Sequence, residues 1–267
     1  MKKVVVITGI SSGIGLALGK LLVNKDYIVY GLSRSVVNEA GINHLKVDVT
    51  DEEALITAFK QIYDQESRID YLINNAGMGI SGSIEGTSLE AATNLMNVNF
   101  IGVFLAAKSV LPYMREQGSG RIINIGSVAG TFAIPFQAFY SSSKAAVAAF
   151  GDALYNEVKP FGIEVATILP GDIKTNFTKN RKANIDELDV YKRRVEKSIE
   201  VMTKDEQSGM SVKYASKVIY KVMRKRRMPL QMTLGRKYKV LVFLKRFLPA
   251  KLVNKLVGSI YSFNKTK

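Results

Sequence analysis

The chain has 267 residues, 47% of them hydrophobic, which is enough for one large domain with a substantial core. It contains no cysteine and one histidine, so disulfide scaffolds and thiolate metal sites are excluded and a serine–histidine triad is not expected. The 38 basic residues outnumber the 23 acidic ones, for a net charge of +15. Residues 211–267 contain 16 of the basic residues and no acidic residue, so the positive charge belongs to the C-terminal segment.

The N-terminus predicts a buried strand that ends in a glycine-rich turn. Val4–Thr8 is a continuous run rich in β-branched residues, as expected for a central parallel strand. The turn Gly9–Gly15 leads into an apolar helical pattern over Leu16–Val23. Glycines allow the backbone to approach a pyrophosphate, and the N-terminus of the following helix binds its charge. The combination of strand, glycine turn and helix predicts a dinucleotide site.

The second strand bears on the choice of cofactor. It is predicted over Ile28–Leu32 and ends in Ser33 and Arg34, with no acid at its tip. In dinucleotide folds an acid near this point bonds the ribose 2′-hydroxyl, whereas an arginine accommodates a 2′-phosphate. NADP(H) is therefore preferred. NAD(H) stays open, because Arg34 can equally be a solvated loop charge.

Three further strands are predicted to end in small or polar residues. Leu45–Val47 runs into Asp48 and Val49, Tyr71–Ile73 runs into Asn74–Gly77, and Arg121–Ile125 ends at Gly126 and Ser127. Open α/β sheets bind ligands at the carboxyl ends of their strands, so these residues are expected to meet at one edge.

A long helix is predicted over Ser88–Arg115, between the fourth and fifth strands. Asparagine is unfavourable inside such a helix, so we expect the side chain of Asn99 to bond a group in the interior.

Tyr140 and Lys144 open a helical pattern that continues over Ala145–Phe161. Residues four apart lie on one helix face, so the phenol and the ammonium can share a site. A nearby cation favours the phenolate and lowers the pKa of a tyrosine toward neutrality. Such a tyrosine can exchange a proton with an alcohol oxygen. Taken alone, such a pair is more often two surface residues, and it is the other motifs on the chain that favour a shared site.

The last part of the sheet is predicted from Glu164–Leu169, which ends at Pro170–Thr175, and from Pro229–Leu234. Between them, residues 174–210 are charged and have few core signals, which predicts a mobile helical flap over a substrate site.

In this order the motifs resemble the short-chain dehydrogenase/reductase family from Val4 to about Thr175, in particular its hydroxysteroid and retinol dehydrogenase-like members. The resemblance implies an α/β fold: a single Rossmann-like catalytic domain over residues 1–235, with a doubly wound, mostly parallel seven-stranded sheet and helices on both faces. It also implies an NADP(H)-dependent oxidoreductase, and a homodimer or homotetramer that pairs through the long helices.

The resemblance implies a catalytic tetrad of Asn99, Ser127, Tyr140 and Lys144. Tyr140 exchanges the proton, Lys144 lowers its pKa and bonds the nicotinamide ribose, Ser127 bonds the substrate oxygen, and Asn99 holds a water in a proton relay. The cofactor-binding residues that it implies are Gly9, Ser11, Ser12, Gly13, Ile14, Gly15, Ser33, Arg34, Asp48, Val49, Asn75, Ala76, Gly77, Tyr140, Lys144, Pro170, Gly171, Ile173 and Thr175. No metal ion is expected.

The predicted substrate side is apolar. Met78–Ile80 and Val128–Gln137 include few charged residues, which favours a hydrophobic ketone, aldehyde or alcohol of steroid, retinoid or lipid type. The alternative is that these residues only pack against the flap. A second functional hypothesis is an NADP(H)-binding regulatory scaffold at a membrane surface without turnover, although an intact tetrad argues against it.

Residues 236–267 form a basic, amphipathic extension. Apolar residues recur at helical spacing over Val240–Leu248 and Leu252–Tyr261, flanked only by cations, as in a helix lying on anionic lipid. A dimer-contact helix and a cover over the substrate mouth are the alternatives. Nucleic-acid binding is not expected, because the cations alternate with aliphatic residues. The apolar run after Lys3 is too short for a signal peptide, so we expect a cytoplasmic protein. The expectation of membrane association comes from the C-terminal extension alone.

Overall fold

The computed structural model describes residues 1–175, 182–183 and 188–261. Its main sheet has seven strands: β1 (Val4–Thr8), β2 (Ile28–Ser33), β3 (Ile42–Lys46), β4 (Tyr71–Asn74), β5 (Gly120–Ile125), β6 (Ile163–Pro170) and β7 (Gln231–Leu234). Their spatial order is β7-β6-β5-β4-β1-β2-β3, and every neighbouring pair is parallel. The expected seven-stranded sheet is confirmed, and it is parallel throughout. Relative to the sequence prediction, β3 begins three residues earlier and β7 two residues later.

Nine α-helices surround the sheet in the described ranges: α1 (Gly13–Val23), α2 (Glu52–Glu66), α3 (Leu89–Met96), α4 (Gly102–Glu116), α5 (Ala138–Val158), α6 (Asp189–Gln207), α7 (Val212–Met223), α8 (Arg236–Lys245) and α9 (Ala250–Tyr261). Side chains of α2, α4 and α5 form the core on one face of the sheet, and those of α1 and α7 form the core on the other. The doubly wound arrangement is thus as expected.

Strand β1 supplies side chains to both cores. Val4 and Val6 pack on the first face, Val5 and Ile7 on the second, and all four are 0% exposed. A strand covered on both faces needs apolar residues at every position, because successive side chains point to opposite sides. This is why the N-terminal run contains no polar alternation.

The predicted helix over Ser88–Arg115 contains a π-helical turn at Asn97–Ile101, which joins α3 to α4. Ser88 caps its N-terminus by accepting a hydrogen bond from the backbone N–H of Ala91. The wider π turn adds a residue to the helix and is a feature that often occurs at functional sites. Here it contains Asn99, which is fully buried.

By length and hydropathy, the helical run Leu89–Glu116 is the one span among the described residues that matches a membrane-crossing helix. Half of its most apolar window is buried inside the domain, where it packs against α2 and α5. A core helix accounts for this composition.

Helix α6 occupies the C-terminal half of the predicted flap, as a helical element of 19 residues. The rest of that prediction falls partly on residues 176–181 and 184–187, which lie outside the described residues. After β7 the chain continues directly into α8, and α9 then packs on α6. The C-terminal helices therefore lie at the carboxyl edge of the sheet.

Candidate active site

A cavity of about 540 Å³ lies at the carboxyl edge of the sheet. Residues that follow six of the strands line it, together with residues of α5, α6 and α9. All of the predicted cofactor and catalytic residues line this cavity except Gly15 and Asn99. These two contact residues of its wall, Asn75 and Met78 respectively. The structure therefore brings the predicted site residues together.

The glycine turn after β1 is joined to the residues that follow β4. The Asn75 side-chain amide donates hydrogen bonds to the carbonyl oxygens of Thr8 and Gly9, over 3.1 and 3.0 Å. The Thr8 hydroxyl accepts from the N–H groups of Asn75 and Ala76. Gly9 has a φ of +66°, and a Cβ atom there would lie 2.7 Å from the Cα atom of Ala76. Only glycine permits this approach between the two loops.

The N-terminus of α1 faces the same cavity. Its N-cap, Ser12, makes no side-chain capping bond, and Ser11, Ser12 and Gly13 all line the cavity. The first N–H groups of a helix have no partner within the helix, and the helix dipole is positive at this end. This end of the cavity fits the pyrophosphate of a dinucleotide.

Arg34 lies at the tip of β2, where its side chain is 74% exposed and its guanidinium is 3.8 Å from the Asp48 carboxylate. Asp48 is itself held by the backbone N–H and hydroxyl of Thr50. The Ser33 hydroxyl is hydrogen-bonded to the backbone oxygen of Ser35 and to the His44 ring. The exposed arginine therefore stands at the mouth of the adenosine end, where a 2′-phosphate would lie.

Asn99 links three parts of the site. Its side-chain oxygen accepts a hydrogen bond from the N–H of Met78 over 2.7 Å, and its amide donates to the Met78 carbonyl and to the Ser143 hydroxyl. Ser143 in turn donates to the carbonyl oxygen of Tyr140. The expected interior bond of Asn99 is confirmed. Its role in a water relay stays a prediction.

Lys144 is 5% exposed and donates a hydrogen bond over 3.0 Å to the carbonyl oxygen of Ile125, the last residue of β5. Its ammonium lies 5.9 Å from the centre of the Tyr140 ring. Burial disfavours the charged form and lowers the pKa of Lys144 to about 8. The cation is thus held beside the phenol at a cost in desolvation, which indicates a functional rather than a stabilising role.

Ser127 and Tyr140 reach the cavity from two different elements. Ser127 follows β5, and its hydroxyl oxygen accepts a hydrogen bond from the N–H of Ala129. Since a hydroxyl has one donor and two acceptor positions, its proton is available for a ligand oxygen. Tyr140 lies in the first turn of α5, one helical turn before Lys144. The two hydroxyls and the ammonium therefore share one cavity.

Helix α8 closes the end of the cavity next to Pro170. The Tyr238 ring packs so closely on Gly171 that a Cβ atom there would lie 2.0 Å from the ring, and the Tyr238 hydroxyl donates to the Asp172 carboxylate. Burial raises the pKa of Asp172, the bond from Tyr238 opposes this rise, and the carboxylates of Asp205 and Glu206 add to it. Three carboxylates, those of Asp172, Asp205 and Glu206, therefore meet at this wall, and the Lys237 ammonium, which lowers the pKa of Asp172, lies near them.

Sequence reasoning missed three residues of the site: Ser143, Glu206 and Tyr261. Ser143 is 0% exposed and lies three residues after Tyr140, on the same face of the helix, and this spacing was a usable signal. Glu206 and Tyr261 line the cavity from α6 and α9, and Tyr261 donates to Asp205 over 3.3 Å. No local motif marks either of them.

A family model for the short chain dehydrogenase matches residues 3–186, the part of the chain that contains the tetrad. The chain belongs to the short-chain dehydrogenase/reductase family. It is an oxidoreductase of this family.

Relatives within the family extend over nearly the whole chain. A 3-ketodihydrosphingosine reductase of Bacteroides thetaiotaomicron is 40% identical over 238 residues, covering 87% of this chain and 88% of that protein. A short-chain dehydrogenase from Streptomyces avermitilis matches with a TM-score of 0.84 at 27% identity, over 98% of this chain and 100% of that one. The structure of ElxO with NADP bound matches with a TM-score of 0.76 at 26% identity, over 90% of this chain and 100% of that one.

Proposed function

We propose that the enzyme is an NADPH-dependent reductase of a ketone on a long aliphatic chain, of the 3-ketosphingoid type. The observation that carries this proposal is the cavity itself, in which Ser127, Tyr140 and Lys144 share a space with Met78 and Met202. The relative named 3-ketodihydrosphingosine reductase supports the substrate class. Arg34 and the NADP-bound relative ElxO support the cofactor, and NAD(H) is the weaker alternative.

In the proposed reaction the ketone becomes a secondary alcohol. NADPH would supply the hydride when bound. The glycine turn, Arg34 and residues 170–175 line the cavity and would hold the cofactor. Ser127 donates a hydrogen bond to the carbonyl oxygen, and Tyr140 donates its proton to that oxygen as negative charge develops. The Lys144 ammonium stabilises the phenolate that remains. The hydrogen bonds of Asn99 to Met78 and Ser143 fix the loop that contains Met78 relative to α5.

The carboxylates at the wall of the cavity give the proposal a specificity element. A 3-ketosphingoid base carries an amine beside its ketone, and the protonated amine is a cation. Asp172 and Glu206 line the cavity that contains Tyr140, and Asp205 lies close to both. A cation at this wall offsets the repulsion between the carboxylates. We therefore propose that Glu206 binds the ammonium of the substrate.

The test is NADPH oxidation with a panel of carbonyl compounds: 3-ketodihydrosphingosine, the same long-chain ketone without the amine, a steroid ketone and the aldehyde retinal. We expect the highest kcat/KM for the amino ketone. Glu206→Gln is expected to raise KM for the amino ketone about tenfold and to leave the amine-free ketone unchanged. Glu200→Gln, an exposed residue of the same helix outside the cavity, is the matched control.

Two results would overturn the proposal. Faster turnover of the steroid or retinal would assign a different substrate class. No oxidation of NADPH with any ketone would instead favour the regulatory scaffold. An equal effect of Glu206→Gln on both long-chain ketones would remove the amine contact but leave the reductase.

We further propose a homodimer or homotetramer that pairs through α4 and α5. Phe104 is 39% exposed there, and its ring meets the Phe150 ring edge-on with centroids 6.4 Å apart. Phe150 is partly buried against the core, so Phe104 is the exposed member of the pair. Exposed aromatic residues are enriched at subunit interfaces. The expected location is the cytoplasm, at a membrane that holds the lipid substrate.

A further inference from the structure

Helix α8 presents an apolar face to solvent. Val240, Phe243 and Leu244 of α8 are 46 to 57% exposed, and Phe247, in the turn directly after the helix, is 71% exposed. These four residues are spaced at i, i+3, i+4 and i+7. None of the residues in Arg236–Lys245 is buried. The Phe243 and Phe247 rings contact each other with centroids 5.3 Å apart. Apolar side chains at this spacing form one stripe, and the part of the domain that the structure describes leaves this stripe largely exposed.

Helix α9 continues this surface. Leu252, Leu256 and Ile260 are 42, 51 and 52% exposed, at i, i+4 and i+8. Only Val253 of this helix is buried, on the side that packs against α6. The two helices therefore form a C-terminal apolar surface, defined here by the seven residues from Val240 to Ile260. An exposed surface of this kind on a folded domain marks an interaction site.

The segment of chain that contains the C-terminal apolar surface has cations and no acidic residue. Arg236, Lys239, Arg246, Lys251 and Lys255 are exposed beside it, and residues 211–267 contain no acidic residue. Pairing with a second copy of this chain would place the same cations opposite each other, because a two-fold interface uses the same patch on both subunits. The charge pattern instead complements an anionic surface that also accepts apolar side chains, which is the interface of a bilayer.

The same two helices border the catalytic cavity. Tyr261 of α9 lines the cavity, and Tyr238 of α8 donates to Asp172 in its wall. Lys245 donates to the carbonyl oxygen of Thr131, and its ammonium lies 5.4 Å from the centre of the Phe132 ring in the predicted substrate segment. Binding of lipid to this surface would therefore place the cavity next to the lipid.

From these observations we infer that α8 and α9 dock the enzyme on an anionic bilayer and that the ketone enters the cavity directly from it. Only the identity of the entering substrate rests on the proposed function. Docking itself depends on the C-terminal apolar surface and its cations. The opposite end of the sheet supplies an internal comparison. Lys225 and Arg227 are exposed before β7, at the amino edge, as is Phe161 before β6.

The test is co-sedimentation of the full-length protein with vesicles of phosphatidylglycerol and phosphatidylcholine, and with phosphatidylcholine alone. We expect binding to the anionic vesicles at about 0.1 M salt and weaker binding at about 1 M salt. Phe243→Ser combined with Phe247→Ser is expected to lower binding at least about tenfold. Lys251→Gln combined with Lys255→Gln is expected to lower it and to remove most of the salt dependence.

Matched variants at the amino edge separate docking from nonspecific attraction. Lys225→Gln with Arg227→Gln removes the same charge, and Phe161→Ser removes a 45% exposed ring. Both are expected to bind vesicles like the wild type. Failure of the wild type to sediment, or equal losses in the control variants, would overturn the inference. A subunit contact would give a different result, which would also overturn the inference. The wild type would then be oligomeric and bind no vesicles, and the protein with both Phe243→Ser and Phe247→Ser would be monomeric.

Activity measurements keep this inference separate from the proposed function. The Phe243→Ser and Phe247→Ser protein is expected to reduce a water-soluble short-chain ketone within about twofold of the wild-type kcat/KM and to lose turnover of vesicle-embedded ketone. Equal turnover of the embedded ketone by both proteins would overturn direct entry from the bilayer. A wild type that binds vesicles but reduces no ketone would overturn the proposed function and leave the docking surface standing.

Discussion

The catalytic cleft and the C-terminal helices differ in how their side chains are held. In the cleft, Asn99 is 0% and Lys144 5% exposed, and each has fixed hydrogen-bond partners. On α8 no residue is buried, and Phe247 in the turn after it is 71% exposed. Chemistry needs groups held in one geometry before the substrate arrives, which requires burial and partners from several elements. Binding to a fluid surface needs exposed area and charge, which two surface helices provide.

The largest expected effect is a loss of turnover, and it tests whether catalysis depends on residues of the cleft alone. Tyr140→Phe removes the proton donor and keeps the ring, so kcat is expected to fall roughly 10³-fold. NADPH binding, measured by fluorescence titration, and vesicle binding are both expected to stay unchanged. Turnover close to that of the wild type would refute the role of Tyr140 and, with it, the division between the two regions.

The second prediction concerns Arg34, at the exposed adenosine end of the cleft, and it tests whether this residue selects NADPH over NADH. Arg34→Gln is expected to raise the NADPH KM roughly 10- to 100-fold, the size of one lost charge-assisted contact, and to leave the NADH KM unchanged. Lys46→Gln, a nearby exposed cation outside the cavity, is the control. An equal loss with both cofactors would show that Arg34 does not select the 2′-phosphate.

The smallest expected effect concerns the stability cost of the buried cation. Burial lowers the pKa of Lys144 from its ordinary value of 10.5 to about 8, so between these values the unfolded chain binds a proton that the folded protein does not. Stability of the wild type should therefore rise with pH through this window, relative to Lys144→Met, by at most about 1.4 kcal/mol per pH unit.

This prediction is checked by urea unfolding of both proteins at several pH values between 7 and 10, a range chosen to bracket the lowered pKa. The difference between them is the informative quantity, because other titrating groups contribute equally to both. A difference that does not change with pH would mean that Lys144 is neither desolvated nor a cost to the fold.

The sequence determined most of the fold and the cofactor end of the site. The strand Val4–Thr8, the glycine turn after it and the pair Tyr140 and Lys144 depend on local rules, namely strand burial, backbone freedom and helical spacing. Such rules act over a few residues, so a single chain reveals them. The order of the motifs along the chain then fixed their meeting at one sheet edge, because parallel strands share their carboxyl ends.

Only the tertiary structure decided the rest. The π turn at Asn97–Ile101 depends on packing between α3, α4 and the interior, which helix propensity does not encode. Glu206 and Tyr261 reach the cavity from helices far along the chain, through contacts between elements rather than through a motif. The sequence left three readings of the C-terminal extension open, because amphipathic spacing does not say which face is covered. The burial of Val253 and the exposure of Phe247 depend on where α9 meets α6, and that is a property of the assembled domain.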